Sequence, residues 1–283
     1  ETPMGTPDMQ FLDAGKNPPT GVIIHYYLSE KPEGDLTLRI LDADGNELNS
    51  FSSSGHRVPR VPAAAGANRF VWDYRARSVT PLDDPAEPDV ETQLREAALG
   101  PRVSPGTYTV ELTVGDHTLS QSFSILPDPR HPATAEELDA QYALKAGIRD
   151  RVSQIHDMVN QIKRLQAQLD GWTKRLNGSD GNAALGEDAG AAKKKLDDLL
   201  DELIVVKPGL PKPGNARLKD KLTTLSTMID ESDDAPTEGA VEVLQSLGER
   251  VDARAQELRT IVSDDIAAFN TKVQQAGLAA VGV

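Results

Sequence analysis

Five histidines are the first residues to examine for chemistry: His25, His56, His117, His131 and His156. An imidazole can ligate a metal or act as a general base, but a zinc site needs ligands at short fixed spacing, as in HxH or HExxH. No two of these five stand that way, and there is no cysteine to complete a set. Zero cysteine also removes a thiol nucleophile, an iron–sulfur cluster and a disulfide scaffold. No nucleophile-elbow pattern is present. Asp42-Ala43-Asp44-Gly45-Asn46-Glu47 has the composition of a calcium loop. Its glycine is fourth in the run rather than sixth, and no glutamate follows at the twelfth place, so a turn between strands accounts for it. Lys207 and Lys212 stand among Pro208, Gly209, Pro211, Pro213 and Gly214 with no Ser/Thr at phosphate-loop spacing, which reads as a helix break. Lys193-Lys194-Lys195 is balanced by Asp197 and Asp198 and reads as a solvated helix face. One aromatic cluster remains. Phe70, Trp72 and Tyr74 alternate along one face, and two roles compete for them. Trp72 and Tyr74 form either a ligand platform for a sugar or part of a sheet core. The platform requires at least one of the two to lie on the surface.

The charge balance narrows the partners. The chain has 283 residues, 44 of them acidic and 30 basic, for a net charge of −14. Nucleic-acid binding needs clustered cations, so none is expected. The same balance argues against an anionic membrane surface, and no apolar run approaches the 18 residues of a span. The first residue is Glu1, which suits a processed N-terminus. No cofactor and no metal is expected.

Aromatic placement divides the chain. Nine of the 12 aromatics precede residue 134, and only Tyr142, Trp172 and Phe269 follow it. Apolar periodicity shifts at the same place from two to about 3.6. The divider, Leu126-Pro127-Asp128-Pro129-Arg130-His131-Pro132, holds three prolines that continue neither a helix nor a ladder. The expected organisation is an extended lead-in over 1–20, a β domain over 21–126, a proline linker over 127–133 and a helical domain over 134–283. Charge does not follow this division: residues 1–133 carry 19 acids and 11 bases, the rest 25 and 19.

In the β part, strands are expected at Val22–Leu28, Leu36–Leu41, Glu47–Ser53, Arg69–Tyr74, Thr107–Val114 and Thr118–Leu126. Gly115-Asp116 suits a two-residue hairpin with Gly at positive φ. Six or seven short strands with such turns predict an antiparallel β-sandwich of the immunoglobulin or fibronectin-III kind. The stretch Ala76–Pro105 is long and polar. It is expected to hold a short helix near Val90–Ala98 and to be the most mobile part.

In the helical part, Thr134-Ala135-Glu136-Glu137 forms a capping box. The stripe Ile148, Val152, Ile155, Val159, Ile162, Leu165, Leu169, Trp172, Leu176 then predicts a rod of about 43 residues, ~64 Å at ~1.5 Å per residue. Gly178–Gly190 reads as a loop. A short helix follows through Leu196, Leu199, Leu200, Leu203 and Ile204, and a second through Leu218, Leu222, Leu225, Met228 and Ile229. A last long helix carries Leu244, Leu247, Val251, Leu258, Val262, Ile266, Phe269 and Val273. Two long and two short helices predict an antiparallel four-helix bundle, each narrow stripe burying another.

The order of segments resembles one family. The segments are Asn17-Pro18-Pro19-Thr20-Gly21-Val22-Ile23-Ile24-His25-Tyr26-Tyr27-Leu28, Leu41-Asp42-Ala43-Asp44-Gly45, Gly66-Ala67-Asn68-Arg69-Phe70-Val71-Trp72-Asp73-Tyr74-Arg75 and Ser104-Pro105-Gly106-Thr107-Tyr108-Thr109-Val110. Pro127-Asp128-Pro129-Arg130, Phe269-Asn270 and Ala276-Gly277-Leu278 follow in the same order. Together they resemble the C-terminal region of large bacterial BNR-repeat, sortilin-like β-propeller proteins often labelled glycosyl hydrolases. The β part also resembles the immunoglobulin-like domain of flagellar hook-capping proteins. In that family sialidase-like chemistry belongs to the propeller, whose blades carry a Ser-x-Asp-x-Gly-x-x-Trp turn. Here Ser179-Asp180-Gly181 lacks the Trp, so no catalytic residue is carried over. The resemblance implies export and an extracytoplasmic location.

The expected function is therefore a non-catalytic accessory chain that docks or braces a propeller chain or a larger assembly, self-assembly included. The alternatives are a carbohydrate-binding module using Trp72 and Tyr74, and a glycosidase with a site between the domains.

Overall fold

The computed structural model describes residues 18–54, 59–83, 100–130, 132–176, 183–205, 216–229 and 234–277. Among the described residues it is mixed β and α, with two small antiparallel sheets that are not closed and four helices, counting the last as one rod of three consecutive stretches. The strands are β1 (Val22–Leu28), β2 (Leu36–Leu41), β3 (Glu47–Ser52), β4 (Gly66–Trp72), β5 (Gly106–Val114) and β6 (His117–Ile125). β1 pairs with β4, Val22 opposite Trp72 and Leu28 opposite Gly66. The other sheet runs β3-β2-β5-β6. The expected helix near Val90–Ala98 lies outside the described residues, as do His56, His131 and the break at 207–214.

By their internal contacts the residues form two compact units. One comprises residues 1–39, 50–74 and 111–120, the other 40–49, 75–110 and 121–283. This partition does not run at the proline stretch.

The first unit is built on alternation. Along β1 the even residues are half-buried and the odd ones exposed, the period-two pattern of a one-sided strand. Leu36, Leu38, Phe51, Val61, Phe70 and Trp72 are its buried apolar residues. The Phe51 and Phe70 rings meet at 4.9 Å, tilted by 53°. Asn68 closes the entry to β4, donating to the carbonyls of Ala64 and Gly66 and accepting from the Ala64 amide. The Tyr26 hydroxyl donates to the Pro62 carbonyl, and burial pushes its pKa up to about 12.

In the second unit, Asp42 folds the β2–β3 turn on itself. Its carboxylate accepts from the amides of Asp44 and Asn46 and from the Asn46 side chain. Partial burial works against these bonds, yet they hold its carboxyl below the usual range. The segment after Tyr74 is anchored rather than loose. Asn49 donates to the Arg75 carbonyl, the Arg77 amide to Leu48, the Arg75 guanidinium to Gly100 and the Ala76 amide to Pro101. Gly100 passes so close that a Cβ there would stand 1.8 Å from the Ala76 carbonyl oxygen. Gly100→Ala must push two backbones apart, and a loss of about 1–3 kcal/mol is expected in a urea melt. An unchanged midpoint would contradict this packing.

The helices are α1 (Ala135–Leu176), α2 (Ala183–Leu203), α3 (Leu218–Ile229) and α4 (Glu238–Thr260), the last running through a π-helical stretch (Ile261–Ile266) into α5 (Ala267–Gln275). The capping box forms as read: the Thr134 amide donates to Glu137 at 2.7 Å, and the Glu137 amide to Thr134 Oγ1 at 3.2 Å. The α1 stripe from Ile148 to Leu176 is buried throughout. α2 begins well inside the expected loop, because Leu185, Ala189, Ala192 and Leu196 already form a buried stripe at steps of four, three and four. Met228, expected in the α3 stripe, is 67% exposed.

Directions follow from the cross-helix pairs. Lys193–Asp170 and Gln166–Asp197 set α2 antiparallel to α1. Lys272–Asp188, Lys195–Asp265 and Arg254–Glu202 set it antiparallel to α4 and α5 as well. Arg151–Asp252 at one end and Trp172 against Phe269 at the other show α1 and the α4–α5 rod running the same way. The all-antiparallel expectation is thus corrected for the long pair. Closeness is set by glycine: a Cβ on Gly147 would meet Leu244 at 3.2 Å, and one on Gly248 would meet Arg151 at 3.1 Å.

Candidate functional site

The two residues singled out as a ligand platform sit in the first unit, 6.4 Å apart between ring centroids. Trp72 has 0% exposure and presents no face to solvent. Tyr74 is half-buried and holds a left-handed backbone at φ 62°, an uncommon conformation for a residue with a side chain. The aromatic pair is therefore a core edge with one partly open ring, and Trp72 cannot stack on a sugar. His25 and His117 are exposed on β1 and β6. Among the described residues no three His, Asp or Glu side chains gather as a metal site would require.

The polar groups that do converge lie along α1. Ser153, His156, Asn160 and Arg164 are three or four residues apart, so they form one face of the helix. Along that face runs the segment Val79–Asp83, from the connection between β4 and β5. The Thr80 amide donates to Ser153 Oγ at 3.1 Å. His156 Nδ1 meets the Thr80 carbonyl at 2.6 Å. Asn160 works both ways, its Nδ2 donating to the Pro81 carbonyl at 3.1 Å and its Oδ1 accepting from the Asp83 amide at 2.9 Å. Arg164 pairs with the Asp83 carboxylate at 3.4 Å. Val79 and Leu82 add apolar contact to the helical core. An extended segment on a helix has no ladder to satisfy its backbone, so side chains must do it. Part of the stretch expected to be mobile is thus strapped down at every turn.

His156 defines the electrostatics of this strap. A carbonyl only accepts, so Nδ1 carries the proton and Nε2 is a bare lone pair in the neutral ring. Nε2 is buried with no hydrogen-bond partner. A histidine oriented this way is a base wherever Nε2 reaches a substrate; here the residue is only 7% exposed. Burial, the largest influence, holds its pKa below the usual 6.5, and the Lys219 charge adds to this, while the Thr80 carbonyl and Asp157 oppose it. The unfolded chain therefore binds this proton more readily than the folded one. Stability from His156 is complete above pH ~6.5 and declines as pH falls below it, by at most ~1.4 kcal/mol per pH unit. The wild-type thermal midpoint is expected to drop between pH 7 and 5 more steeply than that of His156→Gln. Equal slopes would contradict a buried neutral imidazole.

The sequence offers His156 only as one of five scattered histidines, and no motif points to Ser153 or Asn160. The available signal was their type, since serine, histidine and asparagine are poor choices for a helix interior. Tyr108 is a second case. Its hydroxyl donates to the Ser104 carbonyl, and burial, with smaller contributions from Tyr142, Asp139 and Asp42, pushes its pKa up to about 12. Compared with known proteins, the chain matches no family profile, no curated protein and no solved structure.

Proposed function

We propose that this chain is a non-catalytic accessory part that docks or braces a β-propeller chain, or a larger extracytoplasmic assembly that includes further copies of itself. We read its two sheets as an immunoglobulin- or fibronectin-III-like sandwich, and its four helices as a bundle around the long α1 rod. The observation that carries this reading is the strap. The buried polar side chains of α1 are aimed at the backbone of Val79–Asp83, so they brace the molecule and leave no reactive atom toward solvent. Tyr26 and Tyr108 are used the same way, each on a carbonyl. The family resemblance of the segment order supplies the propeller and the extracytoplasmic location. The carbohydrate alternative is left with Tyr74 alone, since Trp72 is buried. The purified chain is expected to release no product from a panel of aryl glycosides and sialosides. Turnover that co-elutes with the folded chain would overturn the non-catalytic reading.

A further inference from the structure

β6 stands at one end of the sheet order, an edge strand among the described residues. Edge strands expose a row of unpaired N–H and C=O groups, and proteins guard them with charge, proline or bulges. β6 has none of these guards. Its nine residues, His117-Thr118-Leu119-Ser120-Gln121-Ser122-Phe123-Ser124-Ile125, include no Asp, Glu, Lys, Arg or Pro. In a chain with a net charge of −14, most surface patches of two copies repel each other. This strand is a place where they do not. Leu119 within it is 73% exposed, and Leu126 just after it 81%.

The register is self-complementary. Gly115, at φ 57°, makes a two-residue turn between β5 and β6. The hairpin pairing follows from Tyr108 against Phe123, Thr109 against Ser122 and Thr113 against Thr118. After such a turn the odd residues of β6 bond inward to β5, and residues 118, 120, 122 and 124 turn their backbone groups outward. An antiparallel partner strand centred on Gln121 would bond through those four residues. Thr118 would then lie opposite Ser124 of the second copy, and Ser120 opposite Ser122. On the other face the exposed Leu119 would lie opposite Phe123. A two-fold interface requires that the same patch complement itself, and this register achieves it with no like charges opposed.

We propose that β6 is the contact through which two copies of this chain pair, edge to edge and antiparallel, about a two-fold axis at Gln121. This rests on the self-assembly arm of the reading above and gives it a surface. The wild-type chain is expected to show a concentration-dependent monomer–dimer equilibrium in sedimentation velocity. Salt is expected to strengthen the dimer, because screening weakens the repulsion between the two acidic chains. Gln121→Lys, which sets two cations face to face on an exposed position, is expected to abolish the dimer and to leave unchanged the thermal midpoint measured at concentrations where the wild type is monomeric.

Cysteine placement gives a second, independent readout, since the chain has none of its own. Directly opposed residues in a non-hydrogen-bonded pair lie about 4.5 Å apart at Cα, within disulfide range. Gln121→Cys is therefore expected to form an intermolecular disulfide at least tenfold faster than Ser124→Cys, which would face Thr118. A wild-type chain that stays monomeric at all concentrations overturns the pairing, as do equal cross-linking rates or a dimer that survives Gln121→Lys. None of these results bears on a propeller partner in the native particle, so the two claims fail separately.

Discussion

Replacing Trp72 with alanine is expected to cost the fold about 3–5 kcal/mol, the range for removing a fully buried tryptophan. The side chain has no exposed surface, its ring lies against Tyr74, and its own carbonyl is where Gly21 passes. A Cβ on Gly21 would stand 2.3 Å from that carbonyl oxygen, so the backbone is tightly packed at this position. The same variant tests the core assignment of Trp72 against a platform role. A core residue takes stability with it when it goes. A sugar platform would leave the denaturation midpoint alone and lose only ligand. A loss under ~1 kcal/mol in urea unfolding, together with lost glycan binding, would contradict the core assignment. Tyr74→Ala, at a half-buried position, is expected to cost less than Trp72→Ala.

The second large effect is expected at Asn160. Asn160→Ala removes both bonds that its amide makes to the strap, orphaning the Pro81 carbonyl and the Asp83 amide. Each unsatisfied group costs about 1–3 kcal/mol when buried, and these are part-buried, so ~2–4 kcal/mol for the pair is expected. The penalty falls on the strap first, because the α1 stripe buries itself without it. The expected readout is therefore local: hydrogen exchange at the Asp83 amide rises roughly 30- to 1000-fold, while the deepest α1 amides change little. Ser153→Ala frees a single amide and is expected to act only at Thr80. Exchange at Asp83 unchanged in Asn160→Ala would mean that Asn160 does not hold the strap.

Much of the architecture was legible because it follows short-range rules. Alternating and β-branched runs between turn residues locate β1 and β2 to the residue, and the other four strands to within three. Gly115 announced the hairpin because a two-residue turn demands positive φ at that place. Thr134 and Glu137 announced the start of α1 because their side chains satisfy amides that a helix leaves open. The α1 stripe needed no tertiary knowledge, since apolar residues at three- and four-residue steps have only one face to share.

What failed depends on contacts distant in sequence. The expected loop at Gly178–Gly190 gives too much weight to its glycines and asparagine; its alanines favour a helix, and Ala189 and Ala192 lie on the buried stripe of α2. The parallel course of the two long rods is fixed by pairs some hundred residues apart, such as Arg151 with Asp252, which no local pattern encodes. In the last rod the periodicity predicts Val262 on the buried stripe; Ile261 is the buried residue, and Val262 packs partly buried against the core. The π-helical turn over Ile261–Ile266 is what keeps both isoleucines inward across a five-residue step. The strap depends on the same kind of contact: Ser153 and Asn160 belong to no local motif, and His156 is one of five scattered histidines, until Thr80 and Pro81 arrive. Alternation puts Phe70 and Trp72 on one face of β4, but the strand ends at Trp72 and Tyr74 leaves it with a left-handed backbone, and alternation does not say which face is covered.

Whether this chain serves as part of a larger assembly is decided by the mass and composition of the native particle. Peptides from this chain are expected in a particle well above 30.5 kDa, together with a β-propeller chain, whether bound or in the same polypeptide, or with further copies. A native particle that is a lone 30.5 kDa monomer would contradict the account.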